Sequence, residues 1–324
     1  MDAAKLRNGY IRFAEYEAHG QSPTFEAWSM QVVGSPTLQA FLLSLPEHKR
    51  QPNLFFAAIR WVVGDVPAAN NLPNIVENKG QEIAEVMFAR STQTNEPARC
   101  AVLLPLLASL PQPLALLEVG ASAGLCLFPD RYAYDYDGTS VGLKEDGPVF
   151  QCSVSGAVPV PPELPEVVWR AGLDLNPLDI GSSDARDWLA TLVWPEHAER
   201  RKRLLRAMDV VAQNPPLLVQ GDVRDGLPNL LEQMPDGATP VVFHSAVLSY
   251  VADQVEREEF ARDMLARDVV WISNESPRVF PSITDKVKGE PPRGKFLLSM
   301  NGEPKAWTGP HGQSIQWIDQ TDGA

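Results

Sequence analysis

The spacing of apolar residues changes near residue 112. Before it, apolar residues recur every three or four positions, as Leu6, Tyr10 and Phe13 do, and prolines separate one such stretch from the next. This interval places apolar side chains on one face of a helix, and prolines mark helix boundaries. The pattern therefore predicts a helical N-terminal cap over residues 1–111, without strands.

After residue 112, short runs rich in Val, Leu and Ile alternate with helical segments at 184–192, 197–211 and 254–266. The runs lie at 114–119, 167–173, 217–220, 240–243 and 269–273. Such alternation is typical of parallel strands joined by crossover helices. Near the end, Asn301-Gly302 separates two further runs and predicts a tight antiparallel hairpin. Residues 112–324 are therefore predicted to form an α/β domain, a Rossmann-like, doubly wound, mostly parallel sheet with antiparallel C-terminal strands.

An insertion is predicted between the first two runs. Residues 132–136 carry tyrosine at every second position, and residues 150–154 alternate in the same way. A period of two indicates strands with one buried face. We therefore expect a β-hairpin insertion over residues 130–156. It could cover the ligand end of the sheet or extend the sheet, and the pattern leaves both open.

Charge and composition narrow the function classes. The formal net charge of -13 argues against nucleic acid as a partner, because binding phosphates needs clustered Lys and Arg. The most apolar stretch, 100–117, is interrupted by three prolines, so we expect no membrane span. Three scattered cysteines are too few for a disulfide framework or a zinc site. Together with the absence of an apolar leader, these features predict a cytoplasmic protein without a bound metal.

A glycine-rich turn is the sharpest motif. The first apolar run carries Glu118 and is followed by Gly-Ala-Ser-Ala-Gly from Gly120 to Gly124. Glycine is needed where a chain turns tightly and its backbone approaches a ligand. The segment resembles the first motif of class I S-adenosylmethionine-dependent methyltransferases, with Ser122 in place of the middle glycine. This resemblance implies that the cofactor is contacted by Glu118, Gly120, Ser122 and Gly124.

The same five residues also fit the Gly-x-Ser-x-Gly elbow of serine hydrolases. In that interpretation Ser122 is the nucleophile, and His244 or His311 is the base. A hydrolase needs strands and an oxyanion loop upstream of the elbow, yet the upstream pattern is helical. The serine hydrolase stays open as an alternative function. So does a ligand-binding protein that keeps the fold without catalysing a reaction.

Two aspartates follow the next apolar runs. Asp174 ends the second run and resembles the acid that holds the ribose in methyltransferases, where two carboxylate oxygens match two vicinal hydroxyl donors. Asp222 follows the third run and resembles the aspartate that accepts from the adenine amino group. Asp174 lies much farther from Gly124 than the roughly 20 residues that are usual. The predicted insertion explains this extra length.

The candidate catalytic residues come from the fourth and fifth runs, which lead into His244 and Glu275. Ligands of open α/β sheets bind outside the carboxyl ends of the strands. His244 is the candidate general base because an imidazole titrates near neutrality, and Glu275 is a second acidic or orienting group. A structural role is the alternative for each. No Asn-Pro-Pro-Tyr-like stretch follows the fourth run, so we expect a small molecule or a protein side chain as the methyl acceptor.

The chain as a whole resembles a bacterial family known as domain of unknown function 2332. The resemblance is carried by residues 94–99, the glycine turn, and residues 170–179, 188–195, 242–246 and 311–312. It implies a Rossmann-like, methyltransferase-related fold and brings no reaction. Within residues 94–99, Glu96 and Pro97 suit the first turn of a helix. Alternatively Asn95, Glu96 or Arg99 reaches the cofactor, with Arg99 on its carboxylate.

Overall fold

A computed structural model describes residues 3–93, 95–142 and 147–318. Thr94, the first residue of the 94–99 segment, lies outside them. The chain divides into two compact units. The first comprises Met1–Thr94 and Ser182–Lys202, and the second comprises Asn95–Gly181 and Arg203–Ala324. The first unit therefore includes a segment from the middle of the chain.

The helices are α1 (Ala3–Phe13), α2 (Pro23–Gly34), α3 (Pro36–Ser44), α4 (Pro52–Val63), α5 (Leu72–Ala89), α6 (Cys100–Ser109), α7 (Ser183–Leu192), α8 (Ala198–Gln213), α9 (Val223–Leu231), α10 (Gln254–Ala266) and α11 (Pro281–Thr284). The strands are β1 (Leu114–Val119), β2 (Ala133–Tyr136), β3 (Thr139–Val141), β4 (Val149–Gln151), β5 (Ser153–Ser155), β6 (Val167–Asp174), β7 (Leu217–Gln220), β8 (Thr239–Ser245), β9 (Val270–Glu275), β10 (Phe296–Met300), β11 (Glu303–Thr308) and β12 (Ser314–Trp317). Over the described ranges, no helix has the length and apolar character needed to span a bilayer.

Every regular element that the structure describes in the first unit is a helix, as the apolar spacing predicted. Its helices begin at clear signals. Ser22 and Ser35 cap α2 and α3, each followed by proline, and each serine hydroxyl accepts from a backbone N–H of the first turn. Such caps satisfy donors that the helix leaves unpaired. The unit is held by its own aromatic core, which includes Tyr10, Phe13, Phe25, Trp28, Phe56 and Trp194.

The second unit is built on a nine-stranded sheet with the order β5-β12-β11-β10-β9-β8-β1-β6-β7. Strands β9, β8, β1, β6 and β7 run parallel to one another. Strands β10, β11 and β12 continue from β9 as antiparallel strands. The predicted mixed α/β architecture is thus confirmed, with a large, mostly parallel sheet and helices at the N-terminus. Asn301 and Gly302 both have positive φ, as the predicted hairpin turn requires.

One predicted helix and the glycine turn show how the packing differs from the sequence pattern. Helix α7 is not a crossover helix on the sheet, because its Trp188 is buried in the core of the first unit and packs edge-on against Trp61. The glycine turn does not open a regular helix. Gly124 adopts a left-handed conformation, and only a single 3₁₀ turn, Leu125–Leu127, follows it.

The two alternating stretches of residues 130–156 form strands, but they pair in parallel and not as one antiparallel hairpin; the antiparallel partner of β2 is β3. Strands β2, β3 and β4 make a separate three-stranded sheet, while β5 joins the edge of the large sheet beside β12. Tyr132, Tyr134 and Tyr136 are fully buried, and each hydroxyl donates to a backbone carbonyl at 2.6–2.7 Å. Of the two alternatives left open, extension of the sheet therefore holds for β5.

Candidate functional site

Backbone strain marks the carboxyl edge, the end of the large sheet where β1, β6, β8 and β9 finish. Four described residues other than glycine have positive φ. Asp137 and Asn301 lie in hairpin turns, where such angles are ordinary. Ser122 (φ +50°) and Ala246 (φ +56°) instead follow β1 and β8. Strain of this kind clusters at functional sites, so the carboxyl edge is the candidate site.

The glycine turn is packed tightly by the protein itself. Gly120 has φ +74°, and a Cβ there would lie 2.2 Å from Val247 Cγ2. Gly124 has φ +70°, and its Cβ would lie 2.8 Å from Pro216 Cγ. Both glycines are therefore required by backbone conformation and by close packing. Val247 belongs to the segment after β8, so Gly120 links the first and fourth parallel strands at the carboxyl edge.

Asn95 clamps the turn. Its side-chain Nδ2 donates to Ser122 Oγ at 2.8 Å, and its Oδ1 accepts from the Ala123 backbone N–H at 3.0 Å. Asn95 thus holds the glycine turn from outside, and the alternative that it reaches the cofactor stays a prediction. Within the described ranges, the side chain hydrogen-bonded to Ser122 Oγ is this amide and not an imidazole. The serine hydrolase interpretation consequently lacks a base at hydrogen-bonding distance.

Asp174 also fastens the turn. Its Oδ2 accepts from the Ser122 backbone N–H and its Oδ1 from that of Asn176, both at 2.8 Å. Each carboxylate oxygen has a second lone pair, so the side chain could still accept from hydroxyl groups. The predicted ribose contact stays a prediction.

Asp222 caps helix α9. Its carboxylate accepts from the backbone N–H of Arg224 at 3.0 Å, and from Nε and Nη2 of the same side chain at 2.8 Å. The hydrogen bonds from Arg224 hold the pKa of Asp222 at about 2. The side chain is thus engaged in capping, and an adenine amino group would have to compete with Arg224.

Glu118 is a buried carboxylate at the end of the central strand. The residue is 5% exposed, and its Oε2 has no hydrogen-bond partner among the described residues. Burial raises the pKa of Glu118 well above its usual range; the nearby Cys126 adds to this, and Arg99 opposes it. A buried carboxylate is stabilised by a donor or a positive charge. Glu118 is therefore suited to a cationic ligand.

Arg99 and Glu96 lie in the turn before α6. Arg99 is 7% exposed and donates from Nε to Pro310 O and from Nη1 to Ser245 O, both at 2.9 Å. These acceptors are neutral carbonyls, so the charge of Arg99 remains available to an anionic group. Glu96 accepts from the Ala98 backbone N–H at 3.3 Å, which is the capping role weighed for it.

His244 is fully enclosed. Its Nδ1 lies 2.8 Å from Glu275 Oε1, and its Nε2 lies 3.0 Å from Trp271 Nε1. An indole nitrogen can only donate, so Nε2 is the acceptor and Nδ1 carries the hydrogen. The ring also contacts Phe260 and Phe280. Both nitrogens are therefore occupied, and this geometry does not favour the general-base role.

Glu275 is buried beside it, 2% exposed. Besides His244, its Oε1 accepts from the backbone N–H groups of Val247 at 3.0 Å and Leu248 at 3.2 Å. In the part of the chain that the structure describes, its Oε2 accepts from none. The carboxylate thus fixes the segment after β8 through one oxygen and keeps the other unused.

A polar chain that the sequence did not predict joins three strand ends. Asn274 Nδ2 donates to Ser245 Oγ at 3.0 Å, and Thr308 Oγ1 donates to Asn274 Oδ1 at 2.6 Å. Asn274 and Thr308 are completely buried. Thr308 gives no signal in the sequence, because it reaches Asn274 only through the pairing of β9, β10 and β11. Asn274, next to Glu275 at a strand end, was recognisable as a polar residue of the carboxyl edge.

Across residues 3–93, 95–142 and 147–318, no three His, Cys, Asp or Glu side chains group so as to hold a metal ion. Cys100, Cys126 and Cys152 are buried and not disulfide-bonded.

Comparison with known proteins gives one match. A family model described as an uncharacterized protein conserved in bacteria (DUF2332) matches residues 7–317. The chain belongs to this family. No curated protein and no solved structure matches it significantly. Membership in DUF2332 confirms the family resemblance drawn from the sequence, and the match extends through both compact units.

Proposed function

We propose that this member of DUF2332 binds S-adenosylmethionine and is a methyltransferase acting on a small molecule or a protein side chain. The supporting observation is Glu118. It presents a buried carboxylate oxygen without a partner among the described residues, beside the glycine turn. S-adenosylmethionine carries an ammonium and a sulfonium, and a cation is what such a carboxylate would bind. Uptake of a cation would offset the cost of ionising Glu118 in a buried position.

The order of the parallel strands supports a Rossmann-like interpretation. From β7 to β9, the five parallel strands stand in the order third, second, first, fourth and fifth along the chain. This is the order of doubly wound sheets, which bind ligands where the order reverses. The reversal lies at β1, the strand that carries Glu118 and leads into the glycine turn.

The residues of the carboxyl edge fit the cofactor in part. Glu118 would hold the ammonium group, and Asp174 would accept from the ribose hydroxyls with its remaining lone pairs. Arg99 and Asp222 fit less well, because several of their polar atoms are already hydrogen-bonded. When bound, the cofactor supplies a methyl group on a sulfonium. The protein contributes by aligning the acceptor with that carbon and keeping water away.

One alternative function has an observation in its favour. Both ring nitrogens of His244 are hydrogen-bonded, so neither is left for proton transfer. This favours a ligand-binding protein that catalyses no reaction. The positive φ of Ser122 fits the strained elbow of a serine hydrolase, but its bond to Asn95 does not. Nucleic acid is not among the proposed methyl acceptors, because a protein with a formal net charge of -13 repels the phosphate backbone.

Calorimetric titration tests the proposal without knowledge of the acceptor. S-adenosylmethionine and S-adenosylhomocysteine should bind with dissociation constants of roughly 1 μM to 1 mM, the usual range for enzyme substrates. NADH, which also binds Rossmann-like folds, serves as the control and should give no heat. Binding of NADH alone, or of none of the three, would refute the proposed cofactor.

A further inference from the structure

Glu275 combines a fixed oxygen with an unused one. Three N–H donors hold Oε1, namely the His244 ring and the backbone of Val247 and Leu248. The carboxylate is therefore rigid, and the conformation that pins Oε1 also sets the position of Oε2. Oε2 is enclosed and has no hydrogen-bond partner among the described residues. Leaving a buried acceptor without a donor is costly, so Oε2 is suited to a donor that comes from outside the chain.

The negative charge of Glu275 is also uncompensated. Its contact with His244 uses the hydrogen on Nδ1 of a ring whose Nε2 accepts from Trp271, so the imidazole in this arrangement is neutral. No Lys or Arg of the described chain forms an ion pair with Glu275. A donor that also carries positive charge therefore suits Oε2 better than a neutral donor does.

The segment held by Glu275 leads to an exposed aromatic ring. It turns sharply at Ala246 (φ +56°) and ends at Tyr250, which is 79% exposed. Tyr250 is the most exposed large apolar side chain in the described ranges. The face of a tyrosine ring attracts cations. Both features, the carboxylate and the ring, thus favour the same kind of ligand.

The same segment touches the glycine turn. Val247, whose N–H binds Glu275, lies so close to Gly120 that a Cβ on the glycine would be 2.2 Å from Val247 Cγ2. Glu275 is therefore connected to the glycine turn, at which we place the cofactor, through a single intervening residue, Val247. This shared contact with Val247 places Glu275 at the same end of the sheet as the proposed cofactor turn.

We propose that Glu275 is the acceptor-binding group and that the methyl acceptor is an amine, an inference that rests on the proposed methyltransferase function. The amine nitrogen donates to Glu275 Oε2, and its cationic form is attracted to the face of Tyr250. Before transfer, the bound ammonium group passes one proton to Glu275 Oε2, which frees the nitrogen lone pair. The lone pair then forms the N–C bond while the C–S bond breaks with its electron pair on sulfur. The product leaves as the N-methylammonium ion, and Glu275 loses its proton as the site empties. An alcohol would need a stronger base than a carboxylate.

Binding of matched probes tests this inference separately from turnover. Benzylamine and n-butylamine are titrated against benzyl alcohol and n-butanol, with and without S-adenosylhomocysteine, in the wild type, Glu275→Gln and Glu259→Gln. Glu259 lies exposed on α10 and is the control. The amines should bind at least tenfold more tightly than their alcohols, as expected for a hydrogen bond to a charged group. Glu275→Gln should remove this preference, and Glu259→Gln should keep it.

Glu275→Gln keeps an oxygen for the three donors that hold the segment, so its melting temperature should stay close to that of the wild type. If it unfolds, Tyr250→Ala at the exposed ring tests the same site and should weaken both amines several-fold. Equal binding of amines and alcohols, or an amine preference that survives Glu275→Gln, overturns the inference. Amine binding that depends on Glu275, in a protein that binds no S-adenosylhomocysteine, supports the amine site and contradicts the proposed cofactor.

Turnover gives the second readout. With S-adenosylmethionine present, the amines should stimulate formation of S-adenosylhomocysteine, and Glu275→Gln should lower kcat about 10²–10⁴-fold, the usual share of a general base. The cofactor affinity of this variant should change less than twofold. Stimulation by the alcohols and not by the amines overturns the amine assignment.

Discussion

At the scale of residues, Glu118 and Glu275 are the two candidate ligand-binding carboxylates of the carboxyl edge. Each is buried and has one oxygen without a hydrogen-bond partner in the described chain. The sequence could place both at strand ends. It could not show that His244, next to a strand end as well, would have both nitrogens occupied. Its partner Trp271 lies on the neighbouring strand β9, four residues before Glu275. Partnerships of this kind depend on register between strands, which local spacing does not specify.

Burial of Glu118 has a consequence for stability. Its pKa is raised in the folded protein, above the ordinary value of 4.5. The folded state then binds the proton more tightly than the unfolded state. The free energy of unfolding should therefore fall as pH rises from 4.5 through the raised pKa. Glu118→Gln carries no charge and should be more stable than the wild type at pH 8, by about 1–3 kcal/mol.

Urea unfolding at pH 5 and pH 8 measures this effect. The advantage of Glu118→Gln over the wild type should be larger at pH 8 than at pH 5. The exposed Glu259→Gln serves as control and should show little difference at either pH. A Glu118→Gln protein less stable than the wild type at pH 8 would mean that the ionised carboxylate has a stabilising partner.

The reactivity of Ser122 distinguishes the two interpretations of the glycine turn, as a cofactor-binding turn or as the nucleophile elbow of a serine hydrolase. Because its Oγ accepts from Asn95 and contacts no imidazole in the described ranges, a fluorophosphonate probe should not label it. Ser122→Gly relieves the positive φ at a position where glycine is at ease, and it should preserve or tighten cofactor binding. Mass spectrometry of the probe-treated protein checks the first expectation. An adduct on Ser122 would favour the hydrolase.

At the scale of elements, apolar runs predicted strands well, and two strands have the predicted bounds: Leu114–Val119 and Leu217–Gln220. Helices were harder. Helix α9 contains Gly226 and Pro228, which interrupt the helical spacing, and it was not predicted. Helix α7 has the right spacing but packs in the first unit. Periodicity identifies a helix with an apolar face and does not say which core that face joins.

The contact between the glycine turn and the segment after β8 can be measured by substitution. Gly120→Ala forces a Cβ to within 2.2 Å of Val247, whereas Gly64→Ala meets nothing within 4 Å at nearly the same φ, +75° against +74°. Gly64→Ala therefore reports the conformational strain alone, about 1–2 kcal/mol. Gly120→Ala should lose about 1–3 kcal/mol more than Gly64→Ala, the usual cost of overpacking.

Thermal and urea unfolding of the two variants give the comparison, and Val247→Ala in the Gly120→Ala background should recover part of the loss. Equal losses in Gly120→Ala and Gly64→Ala would show that Val247 does not pack on the turn.

At the scale of the molecule, the helical part and the sheet part are each compact, but their boundaries are not those of the apolar pattern. Residues 95–111, including α6, belong to the unit that contains the sheet, and residues 182–202 belong to the helical unit. Helix α6 is apolar on nearly all sides and buried along most of its length. Its spacing therefore gave no indication of which unit it joins.

The central claim is that Glu118 binds the cationic cofactor. Calorimetric affinity for S-adenosylmethionine in the wild type, Glu118→Gln and the exposed control Glu259→Gln tests it most directly. Glu118→Gln should weaken binding at least about tenfold, the effect of removing a hydrogen bond to a charged group, while remaining folded. Glu259→Gln should bind as the wild type does. Equal affinity in all three proteins, or no binding in any, would contradict the claim.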